Sequence, residues 1–512
     1  MMASTRRARA RTIMVQGTMS DVGKSLIACG LCRILADEGL RVAPFKSQNM
    51  ALNSAVTADG AEIGRAQALQ AEAARVQATS DMNPILLKPT SDHASEVIVC
   101  GRARTTMPAR DYFAYRRQLV PQIKESFSRL AAAHDAVVIE GAGSPVELNL
   151  AKDDICNMGI ARLLAAPVIL VGDIERGGVF AQLAGTMMLL SDEERAYVRA
   201  TVVNKFRGDA TLFEDGRKIL EERCGVPCAG VVGYLDVDLA DEDSLSGRLA
   251  VRQRIEGRPV DVACIRLPRI SNFTDLDPLA AHPAIGVRYV TRPEELADPD
   301  LIVVPGTKST VADLAWLRET GLADEIRRLG RRGTHIIGIC GGYQMLGEAI
   351  EDEEGAEAAP GTYEGLGLLP VVTRFCAEKV TRQTAAEVIA PTGPLAAMRG
   401  MALRGYEIHR GETVLLGGSP LMRRLDARLG GGELGCAADN VCGCYLHGLF
   451  DAEGAADALA RACLDARGLA PVEGETARFG ERHRDQQIDK LAAGLRAALD
   501  LDLIHRIIEE GI

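Results

Sequence analysis

The sequence predicts an α/β protein built from two parallel-sheet domains. The chain has 512 residues, which is more than one hydrophobic core usually accommodates. Short β-branched runs alternate with segments of helical periodicity, a pattern typical of parallel α/β sheets. The alternation starts at Thr12 and starts again at Val260, after a charged, weakly patterned segment at 241–259. We therefore expect a first domain at 1–250, a second at 258–455 and a C-terminal helical extension at 456–512.

The composition limits the classes of partner. Hydrophobic residues make up 47% of the chain and charged residues 25%, which is typical of a globular protein. The net charge of −11 disfavours nucleic-acid binding, and the arginine-rich run at 6–11 is interpreted as a solvated tail. No apolar run approaches the roughly 18 residues of a membrane helix, and thirteen scattered cysteines indicate reduced thiols. A cytoplasmic protein that binds neither nucleic acid nor membranes is expected.

The first domain opens as strand, glycine-rich loop, helix and strand. Because ligands collect at the carboxyl ends of parallel strands, three strand-end residues, Glu140, Asp173 and Asn204, should point toward one crevice. Strands are predicted at 12–17, 40–46, 135–143, 166–174 and 200–206, with the first helix at 24–39.

The loop “GTMSDVGKS” at 17–25 is one residue longer than the standard phosphate-binding loop. Its last turn carries the groups that bind phosphate: Gly23 permits close approach, Lys24 supplies positive charge and Ser25 offers a hydroxyl to Mg²⁺. The first glycine mainly allows the turn out of the strand, so one extra residue is tolerable. The alternative, an incidental lysine in a βα turn, is disfavoured by the strand–loop–helix context.

Glu140 ends the predicted strand “AVVIE” and stands where a second carboxylate beside Mg²⁺ would be. By itself, the residue could equally be an ordinary charge at a strand end. Its place beside the predicted phosphate loop favours a site for a nucleotide and Mg²⁺.

A second α/β series follows the charged segment. Glycine-rich stretches at 415–420 and 428–435 are interpreted as loops, and amphipathic helices are expected from about Ala455. Strand-forming segments occur within 260–267, 286–290, 301–309 and 334–347.

Cys340 lies in “THIIGICGGYQMLG”, between a β-run and a helical run. This is the pattern of a nucleophile elbow with cysteine in place of serine. The glycines at 338, 341 and 342 leave room for a strained turn, and the helix N-terminus would lower the pKa of the thiol. The backbone N–H of Gly341 could also stabilise an oxyanion.

A cysteine nucleophile needs a base, and His447 in “CYLHGLF” is the best candidate. A lone histidine is more often structural, but the predicted elbow favours the catalytic interpretation. His409 is a rival, whereas His335 lies too deep in an apolar strand. The remaining cysteine pairs, Cys29 with Cys32 and Cys442 with Cys444, are interpreted as packing residues.

“GTMSDVGKS” and “EGAG” together resemble the dethiobiotin-synthetase-like branch of phosphate-loop (P-loop) proteins, whose loop commonly has the longer spacing. Three further segments, at 43–54, 62–74 and 81–89, resemble the cobyric acid synthase family, and the resemblance covers nearly the whole chain. Proteins of this branch use ATP to activate a carboxylate, so the resemblance implies ATP and Mg²⁺ as cofactors.

The resemblance also implies contacts near the loop. Lys46 should lie near the transferring phosphate, although a lysine there could equally be a solvated charge. Gln48, Asn49 and Asn53 would contact the corrin or a carboxylate, although an ordinary polar loop would show the same residues.

Two weaker assignments follow from the same resemblance. Asp59 would join Ser25 and Glu140 around Mg²⁺, and Asn204 would approach the nucleotide base. No protein-bound cobalt is expected, because the corrin supplies its own metal and no His/Cys cluster has ligand spacing.

The second domain resembles class I glutamine amidotransferases, which have a flavodoxin-like α/β fold, in the branch found in cobyric acid and cobyrinic acid a,c-diamide synthases. By this resemblance Cys340 attacks the side-chain amide of glutamine. The loop “PGTKS”, with Gly306, would lend a backbone N–H to the oxyanion. “GYEIHRG”, with Tyr406 and Glu407, would form part of the glutamine pocket.

One position departs from the resembled pattern. Many relatives carry an acid two residues after the histidine, and here that position is Leu449. The carboxylate that orients His447 must come from elsewhere, or cysteine and histidine act as a pair.

The two sites imply one reaction, in which the P-loop domain activates an acid and the cysteine domain supplies nitrogen. By resemblance, carboxylates b, d, e and g of adenosylcobyrinic acid a,c-diamide become amides, giving adenosylcobyric acid in cobalamin biosynthesis. The sister a,c-diamide synthase, a partitioning ATPase with a degenerate amidase domain and a corrinoid carrier are the alternatives. The order of amidation, the ammonia path and the oligomeric state stay open.

Overall fold

Two large β-sheets, one of six and one of twelve strands, organise the protein. The computed structural model describes residues 10–91, 93–150, 152–239, 247–425, 432–470 and 479–512. Most of the predicted arginine-rich tail and part of the predicted domain boundary, at 240–246, lie outside the described residues.

Among the described residues, the first domain contains twelve strands and eight α-helices. The strands are β1 (Arg11–Gly17), β2 (Val42–Phe45), β3 (Gln48–Met50), β4 (Ser54–Val56), β5 (Glu62–Gly64), β6 (Ile85–Pro89), β7 (Ala94–Val99), β8 (Arg102–Pro108), β9 (Ala136–Glu140), β10 (Val168–Asp173), β11 (Val198–Phe206) and β12 (Cys228–Gly233). The helices are α1 (Lys24–Asp37), α2 (Arg65–Ala73), α3 (Ala109–Tyr115), α4 (Val120–Ala133), α5 (Met158–Leu164), α6 (Val179–Leu189), α7 (Asp192–Arg195) and α8 (Glu214–Cys224).

The six-stranded sheet has the order β12-β11-β10-β1-β9-β2, and all its pairings are parallel. Its strands are apolar runs that helices cover on both faces, as expected for a parallel sheet. All five predicted strands and the first predicted helix are confirmed. The carboxyl ends of β1, β9, β10 and β11 therefore meet at the same edge of the sheet.

Strands β3 to β8 have no counterpart among the predicted elements. They form a four-stranded sheet, β3-β6-β7-β8, and a separate hairpin, β4-β5. Three of these strands are only three residues long, and buried polar residues such as Asn49, Ser54 and Glu62 interrupt their apolar pattern. Strands of this kind give little periodic signal in the sequence.

In the part of the chain that the structure describes, the second domain and the chain end contain twelve strands and seven α-helices. The strands are β13 (Val260–Ile265), β14 (Ile285–Val290), β15 (Leu301–Val304), β16 (His335–Ile339), β17 (Ala349–Asp352), β18 (Gly361–Glu364), β19 (Val371–Val388), β20 (Ala402–Leu415), β21 (Ser419–Arg424), β22 (Glu433–Ala438), β23 (Val441–Cys444) and β24 (Leu446–His447). The helices are α9 (Asp277–Ala281), α10 (Thr310–Glu319), α11 (Leu322–Arg331), α12 (Gly341–Leu346), α13 (Ala455–Ala466), α14 (Glu481–Ala498) and α15 (Leu501–Glu510).

A parallel core, β14-β13-β15-β16-β23, continues into antiparallel strands, and β19 and β20 form a long hairpin. The predicted strands of this domain are confirmed. The two glycine-rich stretches are only partly loops, because β21 begins at Ser419 and β22 at Glu433. Residues 428–431 of the second stretch lie outside the described residues.

The C-terminal helices are shared between the two cores. Helix α13 packs on the core of the second domain, whereas α14 and α15 pack beside α1 on the first. Gly30 of α1 allows this approach, since a side-chain carbon there would lie 2.2 Å from Leu495 of α14. Arg33 of α1 is fully buried and pairs with Asp485 and Asp489 of α14.

None of the thirteen cysteines forms a disulfide, and the four predicted packing cysteines are buried. Burial raises the pKa of Cys29 to about 12, as expected for an unreactive thiol. Within the described ranges, no helix has the length and apolar character needed to cross a membrane.

Replacing Leu495 by alanine should destabilise the helix that carries the phosphate loop, because Leu495 is fully buried against α1. Such truncations cost about 2–5 kcal/mol of unfolding free energy. Hydrogen exchange of the α1 amides measures the effect. Leu212→Ala is the control, because the Leu212 side chain is 84% exposed. Unchanged protection of the α1 amides from hydrogen exchange in Leu495→Ala would contradict the packing argument.

Candidate active site

The phosphate loop joins β1 to α1 at the carboxyl edge of the first sheet. Its extra residue is accommodated by two left-handed positions, Asp21 (φ 60°) and Gly23 (φ 95°). Asn204, at the end of β11, donates its side-chain amide to the carbonyl of Val22 at 2.7 Å. A side-chain carbon on Gly23 would lie 2.2 Å from that amide nitrogen, so only glycine fits here.

Lys24 is buried and folded back over the loop. Its ammonium group donates to the carbonyl of Met19 at 2.9 Å and to that of Gly143 at 3.2 Å. The backbone N–H groups at the start of α1 and this ammonium group form a cradle of the kind that binds phosphates.

Glu140, at the end of β9, is the centre of a buried polar cluster. Its Oε1 accepts from the hydroxyl of Ser25 at 2.8 Å and from the ammonium of Lys46 at 2.8 Å. Its Oε2 accepts from the amide of Gln70 at 2.6 Å. The structure thus brings together the phosphate loop and two residues, Glu140 and Lys46, that the sequence placed beside it.

The oxygens of this cluster suit a hard divalent cation. Ser25 and Glu140 supply a hydroxyl and a carboxylate, and the buried Oε1 of Gln70 beside them lacks a hydrogen-bond partner. Mg²⁺ prefers such oxygen ligands and keeps the rest of its shell as water and phosphate oxygens. Within the described ranges, no group of three or more His, Cys, Asp or Glu residues could hold a metal by itself.

The other predicted corrin and metal contacts are spread along the segment that follows Lys46. Gln48 accepts from the hydroxyl of Tyr112, and Asn49 donates to Gln67 at 3.0 Å. Asn53 is buried, and both its amide oxygen and its amide nitrogen lack partners. The side chain of Gln48 is thus held by a hydrogen bond, whereas that of Asn53 is buried without one.

Asp59 is not part of the Glu140 cluster. It is exposed on the turn between β4 and β5, where it accepts from Thr57. The neighbouring Gly60 faces Thr381 of the second domain. The hairpin places Asp59 near the other domain, and its assignment as an Mg²⁺ ligand stays a prediction.

Cys340 stands between β16 and α12 with φ 52° and ψ −110°, a strained conformation for a residue with a side chain. This is the geometry of a nucleophile elbow. Its Sγ lies 3.3 Å from the carbonyl of Ile408. Gly341 and Gly342 are required next to it, because added side-chain carbons would meet Thr307 at 2.7 Å and the carbonyl of Val304 at 1.9 Å.

His447, on β24, is fully buried, and its ring is held at one edge and on one face. Its Nδ1 lies 2.7 Å from the carboxylate of Asp275, and the ring stacks on Tyr406 with centroids 5.2 Å apart. Gly306 lies against the imidazole, since a side-chain carbon there would be 3.2 Å from its Cε1. Burial disfavours the imidazolium, but Asp275 outweighs it and raises the pKa of His447 to about 10, with Cys340 contributing.

Asp275 is the orienting carboxylate that the sequence reasoning left unassigned. It lies after β13, in a short turn at 273–276, and its second oxygen accepts the backbone N–H of Gly448 at 3.0 Å. Leu449 is buried in the core instead. The only signal in the sequence was a polar run after a predicted strand, which does not distinguish Asp275 from its neighbour Asp277.

The two other candidate histidines differ in their position relative to the nucleophile. His409 lies on β20, where its Nδ1 contacts the carbonyl of Gly411 at 3.0 Å and its ring stacks on Tyr445. His335 begins β16, at the opposite end of the strand from Cys340.

A pocket beside Cys340 is lined by both domains. Lys88 comes from the first domain, and Glu357, Lys308 and Lys379 come from the second. The other lining residues are Ser271, Asn272, Thr307, Thr310, Cys340, Gly341, Gln344, Ile408, His409, Arg410 and His447.

Glu407 does not line this pocket, contrary to the sequence-based prediction. It is buried in an ion cluster with Arg382 at 2.9 Å and Arg424 at 3.1 Å. Tyr406 contacts His447 through its ring and donates its hydroxyl to the carbonyl of Ser54 at 3.0 Å. The next residues of the same motif, Ile408, His409 and Arg410, line the pocket.

The pocket borders a buried ion cluster that joins the domains. Glu62 and Glu96 of the first domain both pair with Lys379 of the second, at 2.6 and 3.2 Å. Lys88 pairs with Glu62 at 2.8 Å, and Lys308 pairs with Glu96 at 3.0 Å. Burial raises the pKa of Glu62, but Lys379 and Lys88 outweigh it and lower the value to about 2.

The fold and the site define a glutamine amidotransferase domain joined to a nucleotide-binding domain. Two family models match: a CobQ/CobB/MinD/ParA nucleotide binding domain at residues 13–245, and a CobB/CobQ-like glutamine amidotransferase domain at residues 261–455. Cobyric acid synthase of Salmonella arizonae is 48% identical over 505 residues, covering 98% of this chain and 99% of the relative. Cobyric acid synthase of Sorangium cellulosum is 51% identical over 521 residues, with the same coverage.

The chain belongs to the cobyric acid synthase family. The family resemblance, the α/β fold class and the combination of a nucleotide-binding domain with a glutamine amidotransferase domain are therefore confirmed. The assignments of individual site residues stay predictions.

Replacing Asp275 by asparagine should lower glutamine hydrolysis by about 10²–10⁴-fold, since His447 then loses the carboxylate that orients it. The pKa of His447 should fall from about 10 toward its ordinary 6.5, which NMR titration of the imidazole measures. Because the pKa of His447 is higher in the folded than in the unfolded protein, the Asp275–His447 pair stabilises the fold fully below pH 6.5. This stabilisation decreases progressively as the pH rises to about 10.

Asp457→Asn is the matched control for Asp275→Asn. Asp457 pairs with His282 at 3.0 Å in the same domain but does not touch the pocket. Equal losses of hydrolysis in both variants would contradict the role of Asp275.

Proposed function

We propose that the protein is a glutamine-hydrolysing carbon–nitrogen ligase that uses ATP to amidate a corrinoid acid in cobalamin biosynthesis. The substrate is adenosylcobyrinic acid a,c-diamide, and its b, d, e and g carboxylates become the amides of adenosylcobyric acid. The observation that carries the proposal is a cysteine–histidine–aspartate site and a phosphate loop in one chain, joined by a buried interface. Membership of the cobyric acid synthase family supports the choice of substrate.

Nitrogen release takes place at Cys340. Its thiolate attacks the side-chain amide carbon of glutamine, and His447 transfers a proton to the departing nitrogen, so that ammonia and a glutamyl thioester form. Water then hydrolyses the thioester to glutamate. Backbone N–H groups at Gly341 and in the loop that carries Gly306 are suited to stabilising the oxyanion of both steps.

The glutamine main chain is recognised by the charged end of the pocket. The two carboxylates of the ion cluster, Glu62 and Glu96, are surrounded by four cations. These are Lys88, Lys308, Lys379 and Arg410. The excess positive charge is available to the α-carboxylate of glutamine. Glu357 lies on the same pocket and suits the α-ammonium group. One cation comes from the first domain, so glutamine is bound by both domains at once.

Acid activation takes place at the phosphate loop. Lys24 and the N-terminus of α1 hold the terminal phosphates of ATP, and Ser25 with Glu140 would hold Mg²⁺, which supplies charge neutralisation when bound. Lys46, 2.8 Å from Glu140, is placed to contact the phosphoryl group that passes to the substrate carboxylate. The acyl phosphate then accepts ammonia, and phosphate leaves.

Cys340→Ser should lose amide formation from glutamine but keep amide formation from added ammonium, because the phosphate loop is untouched. Lys24→Ala should lose both, since acid activation fails. The measurement is mass spectrometry of the corrinoid after incubation with ATP, Mg²⁺ and either nitrogen donor. Four successive amidations are expected from the a,c-diamide.

Two outcomes would overturn the proposal. Glutamine hydrolysis that is unchanged in Cys340→Ser would remove the nucleophile, and amidation restricted to the a and c carboxylates would replace the substrate with that of the sister enzyme. The control for Cys340→Ser and Lys24→Ala is Ser128→Ala, at an exposed residue of α4.

Glu357→Gln should raise the KM for glutamine by about 10–100-fold, the usual worth of a hydrogen bond to a charged group, and leave ammonium-driven synthesis unchanged. Burial raises the pKa of Glu357 to about 7. The carboxylate therefore forms as the pH rises through about 7, and the KM of the wild type should fall over that interval. Glu351→Gln, which pairs with Arg374 outside the pocket, is the control; a pH-dependent KM that survives in Glu357→Gln would contradict the assignment.

A further inference from the structure

The loop at 305–309, here called the oxyanion loop, lies against the turn that carries the nucleophile. A side-chain carbon on Gly341, next to Cys340, would lie 3.2 Å from the backbone nitrogen of Thr307 and 2.7 Å from its Cγ2. Both the backbone and the side chain of Thr307 are therefore packed beside the elbow. A small displacement of this residue would change the surroundings of the reacting thiol.

The backbone of the oxyanion loop directs the N–H of Thr307 toward the elbow. The N–H of Ser271 donates to the carbonyl of Gly306 at 2.9 Å, and the N–H of Lys308 donates to the carbonyl of Arg269 at 3.0 Å. In an antiparallel bridge of this kind, the residue between the two bonds directs its own N–H away from the paired segment. Because the nitrogen of Thr307 lies beside the elbow, its N–H is placed to donate to an oxyanion formed there.

A buried aspartate holds the side chain of Thr307. Asp313, in the first turn of α10, is 2% exposed, and its Oδ2 accepts from the hydroxyl of Thr307 at 2.5 Å and from the N–H of Arg269 at 3.3 Å. Burial raises the pKa of Asp313 to about 6, so the carboxylate is ionised at neutral pH. The hydroxyl has one proton, and this charged acceptor is stronger than the carbonyl of Arg269 at 3.0 Å. Asp313 thus holds both segments of the bridge together.

The second half of the oxyanion loop has separate anchors. Lys308 pairs with Glu96 at 3.0 Å, and the hydroxyl of Ser309 donates to the carbonyl of Thr90 at 3.0 Å, both in the first domain. These contacts fix the charged end of the pocket, where the main chain of glutamine is proposed to bind. Asp313 does not line the pocket, so any effect it has on the reaction passes through the bridge.

We propose that Asp313 is a positioning residue for glutamine hydrolysis, which holds the hydroxyl of Thr307 so that the N–H of Thr307 stabilises the oxyanion. The oxyanion forms when the thiolate of Cys340 adds to the amide carbon, and its electron pair returns to the carbonyl as ammonia leaves. It forms again when water adds to the thioester, and the pair returns as the thiolate leaves. This inference rests on the proposed function and adds a residue to its first step.

The test measures steady-state glutamine hydrolysis by the full-length protein. Loss of an oxyanion donor costs about 10²–10³-fold in kcat, and a misplaced donor costs less, so Asp313→Ala should lower kcat by about 10–100-fold. The KM for glutamine should stay unchanged, because the contact is made only in the transition state. Alkylation of Cys340 by iodoacetamide should keep its wild-type rate, since that reaction displaces iodide and forms no oxyanion. Amide formation from added ammonium should also be unchanged.

Substitutions on both sides of the contact sharpen the test. Thr307→Val removes the hydroxyl but keeps the shape of the side chain against Gly341, and it should reproduce the loss in Asp313→Ala. Asp313→Asn keeps an acceptor oxygen and should keep most of the hydrolysis. The double variant Thr307→Val/Asp313→Ala should lose no more than one single variant, because both remove the same contact. Thr320→Val is the control, because its hydroxyl binds only backbone carbonyls at the other end of α10.

The outcomes separate this inference from the proposed function. An unchanged kcat in Asp313→Ala would overturn the role of Asp313, and Thr307→Val gives the same test if Asp313→Ala does not fold. Alkylation that slows as much as hydrolysis would also overturn it, as would losses that multiply in the double variant or an Asp313→Asn as slow as Asp313→Ala. A wild type that hydrolyses glutamine but forms no corrinoid amide would overturn the proposed function and leave the role of Asp313 standing.

Discussion

The buried ion cluster between the domains fixes the geometry on which both sites depend. Glu62 and Glu96 are almost fully buried and share Lys379 of the second domain. Buried ion pairs contribute little net stability, because desolvation offsets their attraction, but a misplaced partner leaves an uncompensated charge. The docking of the domains seen here pairs these carboxylates also with Lys88 and Lys308. The same docking builds the pocket beside the nucleophile, so neither domain forms the complete site alone.

A single short segment links the two chemistries in this arrangement. Lys46 contacts the carboxylate at the phosphate loop, and Ser54 contacts Asn272 at the histidine. They are eight positions apart in the sequence, so their backbones lie at most about 29 Å apart. In the proposed reaction, transfer of ammonia inside the protein would protect it from protonation by solvent.

The parts of the site that could be predicted from sequence are those determined by the local backbone conformation. Lys24 and Cys340 follow from strand-to-helix turns whose glycines are required by close contacts, and such turns have fixed sequence patterns. Asp275 and Glu357 were missed because their use depends on where distant loops meet. Glu407 lies instead in an ion cluster with Arg382 and Arg424, whereas the next residues of its motif, Ile408 to Arg410, line the pocket. The parallel strands were predictable from apolar runs, whereas the short polar strands that carry the interface were not.

Asp275, the orienting carboxylate that the sequence did not reveal, lies near the contact between the two domains. It is on the turn after β13, three residues from Asn272, and both side chains contact the imidazole of His447. Asn272 also accepts the backbone N–H of Ser54, the first residue of the hairpin β4-β5 of the other domain. The surroundings of the histidine therefore depend on how the first domain docks. This agrees with a pocket whose lining comes from both domains.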